Sequence, residues 1–309
     1  MAGTLAVMFS MAIEIGMIYL FATLGEIYAE RSGVLNLGVE GLIMLGAATG
    51  FAIAFESGSI LLGLLGAMVI CGVVSLIHGF VSISMRGNQI VSGLALTMLG
   101  MGLGALIGSR YIGKPLRIRI YSKQIPILSK IPVLGVMFQQ NVIVYFGYVL
   151  AILLWFILYY TKWGLKIRAV GENPAAAEAL GVNIDRIRYS CVMIGGCLAG
   201  LSGAYMSIVY MGSWNEVMTL GKGWIALALV IVSLWNPLLA LFTSILFGFL
   251  DVLAIWLRKH GMDPHILGTL PYIITIVTMT IARSMVKRIG IPEALAKPYI
   301  REEEALYGV

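Results

Sequence analysis

Long apolar runs constrain this chain more than any other feature. Runs of about 20 hydrophobic residues have the length a helix needs to cross a bilayer. They recur from residue 4 to residue 286. Hydrophobic residues make up 60% of the 309 positions and charged residues only 12%, against about 25% charged in ordinary soluble domains. That composition excludes a soluble fold. Short alternating strands are missing too, which excludes a transmembrane barrel. The expectation is an all-α, polytopic transmembrane helical bundle, a single membrane domain over residues 1–309.

Candidate spans fall at about 4–25, 41–56, 60–85, 89–112, 141–161, 189–211, 222–236, 237–257 and 266–286. The shorter ones are candidates for broken or re-entrant helices, so the expected count is about 8 to 10. The first run lacks a basic leader region and a cleavage site, so it reads as a retained span. Cys71, Cys191 and Cys197 lie inside apolar runs without metal-ligand spacing and read as packing residues. Gly100, Gly104 and Gly108 recur every fourth residue, as do Gly196 and Gly200. Small residues at that spacing let helix backbones approach closely in lipid.

The net charge of +6 points to anionic lipid and to span orientation, not to nucleic acid. Lys162, Lys166, Arg168, Arg186 and Arg188 crowd the 162–188 loop, and Arg283, Lys287, Arg288, Lys297 and Arg301 crowd the end of the chain, with the tail taken as 287–309. Both regions should be cytoplasmic, and span parity agrees. The same parity puts Arg86 inside, and the Glu56 turn and the N-terminus outside. One loop conflicts: 113–140 carries Lys114, Arg117, Arg119, Lys123 and Lys130, yet parity places it outside. Either a span is miscounted or this loop is an exception.

Several chemistries are excluded. GSRYIGKP, from Gly108 to Pro115, has the G-x-x-x-x-G-K spacing. Pro115 stands where a phosphate loop needs Ser or Thr for magnesium, and no β-strand precedes it. Any ATP that drives this protein must therefore sit on another chain. His78, His260 and His265 have no companions at metal spacing, and no hydrolase or metalloprotease motif occurs. Glu14, Glu40 and Asp251 lie in or at the head of apolar runs. A charge facing lipid costs at least about 2.5 kcal/mol, so these groups should face the bundle interior, either lining a solute path or bonding to backbone.

Two polar segments stand out. ERSGVLNLGVEG, Glu30 to Gly41, interrupts two apolar runs. Irregular backbone at membrane depth is tolerated only under protein or around a water-filled cavity. Ser32 to Gly41 therefore reads as a broken or re-entrant approach to the second span. The other segment runs from Trp163 to Arg188. Asn173 is a good N-cap, Pro174 suits the first helical position, and Gly181 stops the helix. So short a helix is unstable alone and must dock on something.

ERSGVLNLGVEGLIMLGA, followed by RAVGENPAAAEALGVNIDRIR and GGCLAGLSGAY, resembles the permease subunits of ABC importers. The resemblance is to the branch holding ribose, galactose, nucleoside and branched-chain amino-acid permeases, and covers nearly the whole chain. G-E-N-P and the chain length look most like the nucleoside members. The resemblance implies a multi-pass protein of the bacterial inner or plasma membrane that moves a small polar solute. It carries no cofactor itself; ATP and Mg would be bound by a partner cytoplasmic ABC ATPase. A second permease, more often a different chain, and an extracytoplasmic substrate-binding lipoprotein would complete it.

The resemblance makes Gly171 to Val182 the coupling helix seated in the ATPase, through Gly171, Glu172, Asn173, Pro174, Ala175, Ala176, Ala177, Glu178 and Gly181. Many importers carry E-A-A-x-x-x-G here; this chain has Ala175-Ala176-Ala177-x-x-x-Gly181. Asn36, Glu40, Asn88 and Gln89, polar residues at span edges, are candidates to line the solute path. Sugars, riboflavin-like compounds and branched-chain amino acids are the alternative solutes. An ion-coupled secondary transporter using Glu14, Glu40 or Asp251 is the alternative class, and a membrane enzyme a third.

Overall fold

The computed structural model describes residues 2–126, 129, 134–263 and 291–299, with Thr269, Ile273, Ile276, Val277 and Thr280. Most of the expected 266–286 span, His265, Lys130 and the cations Arg283, Lys287, Arg288 and Arg301 lie outside the described residues. Among the described residues the regular structure is helical: α1 (Ala2–Arg31), α2 (Val39–Ser57), α3 (Ile60–Gly79), α4 (Gln89–Gly108), α5 (Val142–Tyr160), α6 (Lys162–Glu172), α7 (Pro174–Ala179), α8 (Ile184–Ala204), α9 (Lys222–Val232) and α10 (Pro237–Lys259). π-helical turns extend α3 through Phe80–Ser84 and α8 through Tyr205–Tyr210.

Seven helical segments among the described residues are long and apolar enough to cross a membrane. They match seven of the nine expected spans; 266–286 lies mostly outside the described residues, and 222–236 differs. There the helix is α9, 11 residues long. At 1.5 Å per residue it reaches about 16 Å, half of a hydrocarbon core of about 30 Å. The expectation of a broken span is met here.

Packing explains the spaced glycines. α2 runs through the middle of the bundle against α3, α4 and α8, and Val39 to Phe51 is buried throughout. A Cβ on Gly46 would meet the Gly200 carbonyl oxygen of α8 at 2.5 Å, and one on Gly200 would meet the Ala67 carbonyl of α3 at 2.6 Å. Gly100 and Gly104 abut Gly41 and Met44 in the same way. Van der Waals contact between backbones replaces the hydrophobic drive that lipid cannot give. The outer faces of α3, α4 and α5 leave Val69, Val73, Met98 and Val149 exposed, as lipid contact requires. Gly46→Leu should cost at least about 1–3 kcal/mol through forced separation of α2 and α8. Membrane-fraction immunoblots should show the chain depleted.

The two ends of the bundle are distinct. Gln140 Nε2 bonds Ser10 Oγ near the start of α1, Leu116 N–H bonds the Gly212 carbonyl, and Tyr111 OH donates to Glu56. These place the start of α1, the Glu56 turn and the 113–140 loop at one end. The last turn of α1, the first turns of α4 and α8, and α6 and α7 share the other. The parity of the sequence therefore stands. The basic 113–140 loop lies at the end opposite the 162–188 segment, so the two basic segments do not share one side.

Candidate transport site

The site is built from two helix interruptions and the end of α1 between them. Helix α1 ends at Arg31 and α2 begins at Val39. The residues between are buried or nearly so, with Ser32, Val34 and Asn36 fully enclosed. Their backbone groups must find partners inside the protein, and side chains supply them. Gln89 Oε1 accepts from Leu35 N–H at 2.8 Å, and a His78 ring nitrogen bonds the Leu35 carbonyl at 3.1 Å. Glu26 Oε1 accepts from Asn36 N–H at 2.8 Å, and Asn36 Oδ1 from Gly38 N–H at 2.9 Å. Thr97 Oγ1 donates to the Leu37 carbonyl, and Arg188 Nε to that of Ser32. The expected broken approach to the second span is present over Ser32 to Gly38, and Asn36 does cap a freed amide.

The second interruption is α9. Its first residues sit at the amino end of α2, deep in the bundle. Glu40 Oε1 accepts from Gly221 N–H at 3.0 Å and Oε2 from Gly223 N–H at 2.6 Å. One carboxylate thus occupies the amino end of a helix, where the dipole and the orphan amides favour negative charge. Gly221 has φ +80°, backbone that favours glycine. A Cβ on Gly223 would collide with the Glu40 backbone. At its other end α9 turns into α10 through Leu234 and Trp235, both at positive φ. This strained turn is held by α1: Trp235 Nε1 donates to Glu30 Oε2 at 2.6 Å, and Arg31 reaches the Leu234 and Trp235 carbonyls at 3.4 Å.

Beside α9, a cavity of ≈ 470 Å³ opens between α1, α9, α10 and the π turn after α8, lined by Tyr19, Tyr210, Lys222 and Asp251 among others. Lys222 Nζ lies 3.3 Å from Asp251 Oδ2, which also accepts from Tyr19 OH at 2.6 Å. A second cavity of ≈ 420 Å³, between α3 and α4, is almost wholly apolar apart from His78, Asn88 and Ser92.

The 162–188 segment forms two helices. Thr161 caps α6 through Gly164 N–H. Asn173 Oδ1 accepts from Ala176 N–H at 2.8 Å, and Pro174 takes the first position of α7. Gly181 follows the last turn at φ +80°, and its N–H bonds the Glu178 carbonyl. Pro174 and Ala177 face inward; Glu172, Asn173, Ala176, Leu180 and Gly181 face outward, with Ala175 and Glu178 between. Leu180 is 86% exposed. Gly171 packs against the Arg31 carbonyl of α1, and its own carbonyl accepts from Ala294 N–H at 2.9 Å. Tyr299 OH donates to Glu178 at 2.7 Å.

Of the four pathway candidates, Asn36 and Gln89 meet at the first interruption and Glu40 holds the second. Asn88 caps α4 by accepting from Ile90 and Val91 N–H, and lines the α3–α4 cavity. Asp251 faces the larger cavity, and Glu14 is half-buried on α1. The sequence reading missed Lys222, Glu26, Glu30 and Trp235. Lys222 did leave a signal, a lone cation heading the apolar run GKGWIALALVIV.

Seven membrane-length helices with two helix interruptions, one of them beside a partly exposed Lys222–Asp251 pair, mark a multi-pass membrane protein. The chain belongs to the family described as the permease component of branched-chain amino acid transport systems, which it matches over residues 8–281. It is therefore the transport subunit of an ABC system, which works with an ATPase and a substrate-binding protein. It is 36% identical to a putative glucose ABC transporter permease of Haloferax volcanii, covering 94% of this chain and 96% of that one. It is 38% identical to a guanosine ABC transporter permease of Bacillus subtilis, covering 91% and 92%. Against a nucleoside ABC transporter permease of Lactococcus lactis it is 32% identical, covering 85% and 87%. No solved structure matches the chain.

Proposed function

We propose that this permease imports nucleosides across a bacterial plasma membrane. The observation that carries the reading is the near full-length similarity to guanosine and nucleoside permeases, which outnumber the glucose permease among the three. The chain pairs with a second, different permease and takes solute from an extracytoplasmic lipoprotein. ATP and Mg are bound by a cytoplasmic ATPase. The 162–188 end is cytoplasmic, and Gly171 to Gly181 is the coupling segment. Support for that role is local: α7 is capped, Ala176 on it and Leu180 just after it face outward, and it follows directly on α6, whose Gly171 packs on the last turn of α1. A rigid element so placed can pass ATPase movement to α1 as a body. Asn36, Glu40 and Gln89 then serve the path by fixing the two helix interruptions, and Asn88 by fixing the start of α4.

The test is uptake by the full complex in proteoliposomes. Guanosine uptake should require ATP inside and persist with an ionophore present. Uptake of glucose or a branched-chain amino acid in place of nucleosides overturns the substrate reading. Uptake that collapses with ionophore and ignores ATP overturns the mechanism.

A further inference from the structure

An ion pair between a half-helix and a membrane-length helix needs a reason. Swapping such a pair for apolar residues is often neutral or stabilising, and intramembrane charges mark solute or ion routes. Lys222 and Asp251 form that pair here, and both line the ≈ 470 Å³ cavity. Their side chains keep 20% and 16% of their exposure, so the cavity reaches them. Asp251 uses Oδ2 for both Tyr19 and Lys222. Its Oδ1 has no hydrogen-bond partner among the described residues. Lys222 has three N–H donors, one directed at Asp251. A carboxylate with an open oxygen beside an ammonium matches two neighbouring hydroxyls, each both donor and acceptor. Carboxylates hold the ribose of dinucleotides in this way.

The rest of the cavity lining is largely apolar. Tyr210 and Met211 line its wall, and aromatic and thioether groups suit a stacked base. Its volume falls within the range of about 300–1,000 Å³ typical of small-molecule sites. Its mouth is at the end opposite α7, where Met211, Leu220 and Arg258 are exposed. That is the end where a delivered solute arrives. The α3–α4 cavity has no ion pair, and its rim, Ile77 and Val91, is exposed and apolar.

We propose that this cavity is the permease's own nucleoside site. Asp251 Oδ1 accepts from the ribose 2′- and 3′-hydroxyls, Lys222 donates to them, and Tyr210 and Met211 carry the base. The proposal rests on the nucleoside reading and adds a selectivity within the membrane subunit. The permease, and not only the binding protein, distinguishes ribosides from sugars lacking the diol.

The experiment uses the complete transporter in nanodiscs without the binding protein. Binding of labelled guanosine is measured with guanosine and 2′,3′-dideoxyguanosine as competitors. The dideoxy compound should compete at least ~10-fold more weakly, because a site built for hydroxyls is left with unmet polar groups. Asp251→Asn should weaken guanosine binding ~10-fold or more and bring the two competitors together. Tyr210→Ala keeps the ion pair and should weaken both competitors alike; assembly and melting temperature serve as the folding control for each variant. Unchanged binding and an unchanged competitor ratio in Asp251→Asn overturn the proposal, as does a Tyr210→Ala protein that assembles and binds like the parent. A parent complex that imports nucleosides while either result holds leaves the substrate reading intact. One that imports only another solute overturns that reading instead.

Discussion

Glu40→Ala should abolish uptake and lower the melting temperature of the solubilised protein. The carboxylate accepts from two amides at the amino end of α9. Its removal leaves both donors buried, at about 1–3 kcal/mol each. The combined loss of about 2–6 kcal/mol is a large share of the stability of a typical fold. Glu40→Gln keeps one acceptor oxygen and loses the charge–dipole term. It should fall between parent and alanine in both transport and thermal stability. A Glu40→Ala protein that melts with the parent would show that α9 is held by apolar packing alone.

Leu180→Glu should separate transport from folding. Leu180 follows α7 and is 86% exposed, so nothing inside the subunit needs it. On the proposed coupling segment, a large apolar residue so exposed is the candidate contact with the ATPase. Loss of about 2 kcal/mol at such a position weakens association roughly 30-fold. Pull-down of the ATPase should fail and uptake should cease, while abundance and melting temperature stay at parental values. Ala177→Leu gives the contrast. Ala177 is buried at 2% exposure, so enlarging it should unseat α7 and reduce stability as well as transport. Equal ATPase retention in Leu180→Glu would remove this face from the interface.

These two residues show what the sequence could reveal. The caps of α7 were legible because they are local: Asn173, Pro174 and Gly181 act within three residues of their partners. The break before α2 was legible because polar residues and glycines at membrane depth admit few conformations. The close helix contacts were visible as glycine spacing. The half-helix was legible only as an unusually short run, since hydropathy over 222–236 sums apolar side chains and cannot see that Gly221 is held by a carboxylate 181 positions away. Glu26 and Glu30 escaped notice for the same reason. Their partners, Asn36 and Trp235, emerge only once α1, the break and the α9–α10 turn are folded together. Asn88, read as a pathway residue, proved to cap α4; its spacing to Ile90 and Val91 would have allowed that reading from the sequence.

The seating of α9 also bears on how the chain is made. An 11-residue helix is too short for the insertion machinery to release into lipid as an independent span. Its amino end finds its acceptor on Glu40, and its carboxyl end leads into a turn fixed by Glu30 and Arg31. All three precede α9 in the chain. The groups that seat α9 at both its ends therefore come before it in the chain, on α1 and α2. A fault at Glu30, Arg31 or Glu40 is thus carried some two hundred positions along the chain, to the seat of α9.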